Sequence, residues 1–193
     1  MNTTTSQFDR AMAMWREIDF PIVEQKVSTL QFVEDLAAMY SNGAVIHKSF
    51  AVPDHPDFTA FIDTGALHST YFFERFWQTK SVACAFPQSL NDVRFLSPDT
   101  FNWIHPVELP GSLARALLRG GAYTSRRMPA RNAMSIASQT AESLLGEDFD
   151  HPQVFVSHLS WSSFFYDVAW DYTWLIIRPK DKRIEVIIAT DTD

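Results

Sequence analysis

Two runs near the end of the chain constrain the fold more than anything before them. Tyr172–Arg178 and Arg183–Thr190 are dense in β-branched and aromatic residues, and the turn-forming Pro179-Lys180-Asp181-Lys182 joins them. Side chains alternate along a strand, so Thr173, Leu175 and Ile177 share one face of the first run and Tyr172, Trp174 and Ile176 the other. Both faces are largely apolar. Such a hairpin is central in its sheet, or has a face covered by helices.

Just upstream, Val154, Val156 and His158 alternate with Phe155, Ser157 and Leu159, which predicts another strand. Between these strands, residues 161–174 hold seven aromatics: Trp161, Phe164, Phe165, Tyr166, Trp170, Tyr172 and Trp174. Trp and Tyr join a large apolar area to one polar handle, and they serve both cores and binding surfaces. The block therefore reads as core first, with an exposed contact surface as the competing reading.

Helical signals dominate the start and the middle. Phe8, Met12, Trp15 and Ile18 recur at helical spacing and stop at Phe20-Pro21. Ser28 with Gln31 resembles a capping box, and Leu30, Val33, Leu36, Ala37 and Tyr40 form the stripe of a second helix that ends at Ser41-Asn42-Gly43. Residues 112–119 stop at Gly120-Gly121, and Pro129 opens a helix that runs to Leu145 with Gly146 as its stop. Residues 44–52 read as a strand and 58–63 as a second one. Residues 67–77 are apolar nearly all round and read as a buried helix, while 81–86 and 93–96 read as short strands. This order predicts a single α+β domain over residues 1–193. Its antiparallel sheet is built largely from the C-terminal third, with a C-terminal β-hairpin, and is packed by N-terminal and central helices. The helical segment 111–146 is a candidate insertion or lid.

Charge separates function classes. The net charge is −7, which argues against broad attraction to nucleic acid or to an anionic membrane surface. No apolar run reaches the roughly 18 residues that span a bilayer, and the first residues resemble no secretory signal. With one cysteine, Cys84, an internal disulfide and a Cys-rich zinc site are excluded, so a reducing, cytoplasmic setting is expected. The negative charge is unevenly spread: residues 109–141 contain no Asp or Glu but carry Arg115, Arg119, Arg126, Arg127 and Arg131, leaving −12 for the rest.

That arginine window is the first candidate site. Arg126 and Arg127 in a Gly-bounded loop, with Arg131 in the first turn of the next helix, offer forked donors to a phosphate or carboxylate. Arg115 and Arg119 instead read as a solvated helix face. His158, mid-strand beside the aromatic block, is either a packed histidine or an acid/base group. Asp167 and Asp171 lie among Trp and Tyr residues, where they either accept hydrogen bonds and stabilise turns or line a pocket as carboxylates. Trp161 is the candidate aromatic anchor. His55, His105 and His151 each precede a proline and read as turn residues. Cys84 has apolar, uncharged neighbours and is expected to be buried and inert. Asp191-Thr192-Asp193 reads as a frayed acidic tail.

The phosphate-cradling glycine motifs, H-E-x-x-H and G-x-S-x-G are all missing from the sequence, so no cofactor and no metal are expected. The leading expectation is a protein-binding module, in the manner of an inhibitor or immunity-type protein that neutralises a partner. The alternative is an enzyme or small-molecule-binding domain with the arginine-rich loop as an anion clamp.

Overall fold

A computed structural model describes residues 6–25, 27–94, 96–97, 99–123 and 128–192, with the backbone alone at 27, 28 and 30. In chain order the elements are α1 (Gln7–Met14), β1 (Ile22–Val23), α2 (Val27–Ala37), β2 (Ala44–Ala51), α3 (Pro56–Asp63), a 3-10 turn (Leu67–Thr70), α4 (Phe72–Phe76), α5 (Lys80–Ala85) and α6 (Gln88–Asn91). There follow β3 (Asn102–Ile104), a 3-10 turn (Pro106–Glu108), α7 (Leu109–Arg119), α8 (Ala130–Leu145), β4 (Gln153–Ser157), β5 (Tyr172–Arg178) and β6 (Arg183–Thr190).

The six strands form one antiparallel sheet in the order β1-β2-β6-β5-β4-β3. The fold is α+β, with the C-terminal hairpin at the centre of the sheet. In that hairpin Trp174 pairs with Ile187 and Ile177 with Ile184. Every residue of β5 is buried. This follows from its two apolar faces, because helices cover both. On one face Leu175, Ile177, Ile184, Val186 and Ile188 pack with Phe58, Phe72, Phe76, Trp77 and Trp161. On the other, Tyr172, Trp174, Ile176, Ile187 and Ala189 pack with Phe32 and Leu36 of α2, Leu113 and Leu117 of α7, and Ala137 and Leu144 of α8. Helices α7 and α8, together with α2, thus form one helical layer of the core. Each large side chain withdrawn from water contributes roughly 1.5–3 kcal/mol, opposed by the entropy of ordering it.

Several elements are where local chemistry alone puts them. Gly146 ends α8 at φ 73, a left-handed conformation that glycine adopts without a Cβ penalty. Pro129 sits at its start as the N-cap residue. Other expectations are overturned. Residues 58–63 are helical rather than extended: His55 accepts from the Asp57 amide (3.2 Å) and Pro56 opens α3, so this His-Pro pair, read as a turn, caps and starts a helix. Residues 81–86 also belong mostly to a helix, α5. Its first turn is held from outside by Asp19, which accepts from the Ser81 amide (2.9 Å) and hydroxyl (2.6 Å). Of the stretch expected as a strand at 93–96, residue 95 lies outside the described residues, and among the others Val93 forms an isolated bridge with Ser162. The helical run 67–77 is interrupted at Tyr71, which takes φ 58.

Cys84 is exposed on α5, not buried, because Val82 takes the inward position of that short helix. Asp191 is not frayed. Its carboxylate is fully buried and accepts from the amides of Ser41 (3.1 Å), Asn42 (2.9 Å) and Ala122 (2.8 Å), tying two turns to the end of β6.

Candidate functional site

The sheet ends at β3, and the outward backbone N–H and C=O groups of this strand have no strand partner among the described residues. An open edge of this kind is a template for another extended chain. Register fixes what flanks it. Trp103 lies opposite Phe155 on one face, while Asn102 and Ile104 lie opposite Val156 and Val154 on the other. Each face opens into a cleft.

On the Trp103 face a cleft of about 700 Å³ runs between β3, the end of α3 and the β5–β6 turn, lined by Ile62, Thr64, His68, Trp103, Gln153, Phe155 and Lys180 among others. In its floor Gln153 donates to the Ile62 carbonyl (2.7 Å), and His68 packs edge-on against Phe155. Trp103 is 55% exposed, so much of its indole remains available to a partner.

On the opposite face a smaller cleft, about 440 Å³, is lined by Asn102, Ile104, Glu108, Gly111, Ser112, Arg115, Val156 and His158. Leu113, Ala114, Ala116 and Leu117 turn α7 inward, which leaves Ser112, Arg115 and Arg119 along the stripe beside the end of β4. Ser112 accepts from the Trp174 indole (2.9 Å). Glu108 is engaged in the cap of its own turn, accepting from the His105 amide (3.0 Å). Arg119 donates to the Ala169 carbonyl (2.5 Å). Arg115 makes no hydrogen bond or ion pair among the described residues. His158 packs edge-on against Tyr172 (5.2 Å between centroids). Although this imidazole keeps contact with solvent, desolvation by the surrounding protein, followed by the charges of Arg115 and Arg119, holds its pKa below the usual histidine value.

The residues singled out from sequence scatter. His158 reaches the smaller cleft. Arg131 stands exposed in the first turn of α8 and does not line that cleft. Arg126 and Arg127 lie outside the described residues. Trp161 is 2% exposed, stacked on Trp77 (4.4 Å) with its indole donating to Thr173 (2.8 Å), so it is a core residue. Asp171 is buried and accepts from the Val168 amide (3.0 Å) and the Thr190 hydroxyl (2.6 Å), which stabilises the turn before β5. Burial raises its carboxyl pKa despite those bonds. Asp167 is exposed at φ 61 in the same turn.

Sequence reasoning did not single out Trp103, Asn102 or Ser112, which line the two clefts, and it read Arg115 only as part of a solvated helix face. The available signal was a tryptophan between Asn102 and Ile104, and an arginine pair four apart in a segment without carboxylates. Among the described residues no group of three or more His, Cys, Asp or Glu side chains is placed to hold a metal, and no helix is long and apolar enough to cross a membrane. Comparison with protein-family models, with curated proteins and with solved structures gives no match.

Proposed function

We propose that this chain is a protein-binding module that takes an extended segment of its partner along the β3 edge. The observation that carries the reading is the coincidence of an open strand edge with a cleft on each of its two faces. In strand addition, main-chain hydrogen bonds supply affinity, and pockets for alternate side chains supply specificity. Trp103 would anchor one face and the Asn102–Ile104 side the other. An inhibitor or immunity-type protein that occupies its target by strand addition is one form of this reading, and a reducing, cytoplasmic setting suits its single thiol.

The test is capture from the native extract followed by mass spectrometry, with three versions of the folded chain. Trp103→Lys places a charge on the edge, the device by which proteins block strand pairing. Phe8→Lys alters an exposed aromatic on α1, away from β3. A partner retained by the parent and Phe8→Lys but lost by Trp103→Lys supports the reading. A partner retained by Trp103→Lys contradicts it.

A further inference from the structure

We infer that the cleft on the α7 side of β3 is a carboxylate subsite, which reads an Asp or Glu side chain of the segment bound at that edge. The inference rests on the strand-addition reading and adds the chemistry of the partner. Its basis is an arginine in the lining of this cleft that has no hydrogen-bond or ion-pair partner among the described residues, in a chain that is acidic as a whole. The protein is acidic as a whole, at −7, yet the cleft presents Arg115 with Arg119 and His158 close by. The one acid among the described lining residues, Glu108, accepts from the His105 amide in the cap of its own turn and makes no ion pair with Arg115.

Arg115 is an exposed guanidinium with no partner among the described residues, and its forked donors match a planar carboxylate. Ser112 and Asn102 supply neutral polar groups beside it. A residue of an added strand that points to this face lies two positions from the next one that does, so a single acidic position in the segment meets the cleft while its neighbours face Trp103. A cation placed in a cleft of a negative protein gives register and selectivity more than encounter rate. The pKa of His158 is lowered by desolvation first and then by the charges of Arg115 and Arg119, and a bound anion would offset that second contribution.

The experiment selects a random peptide library displayed on phage against the immobilised full chain. Peptides retained by the parent protein should share one Asp or Glu at a fixed place within a β-prone stretch. A synthetic peptide of that sequence should lose about tenfold in affinity when its acid becomes the amide, and under about twofold when the same pair is measured on Arg115→Gln. The His158 ring protons should titrate at higher pH in the complex with the acidic peptide. Retained peptides without an acid, or an equal loss on both proteins, overturn the carboxylate subsite and leave strand addition standing. Retained peptides that bind Trp103→Lys unchanged overturn strand addition itself, as does the absence of any enriched peptide.

Discussion

Nε2 of His47 lies 2.8 Å from Oε2 of Glu185, across the β2–β6 ladder, with both side chains nearly sealed from solvent. The Ser49 hydroxyl donates to the same carboxylate, and Nε of Arg183 donates to its other oxygen. Burial alone would raise the Glu185 pKa, but the hydrogen bonds from His47, Ser49 and Arg183 outweigh it and hold the carboxyl below the usual range.

A carboxyl with a lowered folded-state pKa stabilises the fold above its unfolded pKa, and that stability is lost as pH falls through the folded value. Denaturant melts of the parent should therefore weaken below about pH 4, the ordinary range of a glutamate. Glu185→Gln should cost about 3–5 kcal/mol at neutral pH, because it removes one side of a buried charged network, and should show a flatter acid limb. Equal stability of variant and parent at pH 7 would contradict the assignment.

Trp161 gives a second expectation, since sequence alone offered it as a binding anchor and the fold seals it against Trp77. Trp161→Ala should cost about 3–5 kcal/mol in a chemical melt, and so should Trp174→Ala in the hairpin. Tyr166→Ala, at an exposed aromatic of the same block, should stay within about 0.5 kcal/mol. A mild Trp161→Ala would mean that the stack is peripheral.

The turn pinned by Asp191 predicts two sensitivities. Asp191→Ala should lose about 1.5–3 kcal/mol through its charged hydrogen bonds to backbone amides. Gly43→Ala should also destabilise, because a Cβ there would stand 1.7 Å from the Thr190 carbonyl oxygen. A parent-like midpoint for Gly43→Ala would refute that close approach.

Cys84 should react quickly with thiol reagents in the folded state, and Cys84→Ser should leave the melt within about 0.5 kcal/mol. Slow labelling of the native protein would show that its exposure is overstated.

What could be read from sequence divides along physical lines. The β5–β6 hairpin, α7, α8 and β2 were legible because each carries a sustained period and, for most, a Gly or Pro at its end. Residues 58–63 and 81–86 were not. Apolar runs of six residues suit helix or strand equally, and each deciding contact depends on residues beyond the run: His55 with Asp57 before 58–63, and distant Asp19 on Ser81 at the start of 81–86. Cys84 was misjudged from its neighbours because a short helix buries one side only. The β3 edge was invisible for another reason: a three-residue strand exists by virtue of its pairing with β4, and its clefts are assembled from α3, α7, β4 and the β5–β6 turn.

The most direct measurement of the central claim is amide hydrogen exchange on the full chain, alone and saturated with an extended peptide obtained from the library selection. Outward amides of Asn102–Ile104 have no strand partner among the described residues and should exchange quickly in the free protein. In the complex they should slow by at least tenfold, while Ile22 and Val23 at the opposite edge are unchanged. Protection that appears elsewhere and leaves β3 exchanging as before would contradict strand addition at this edge.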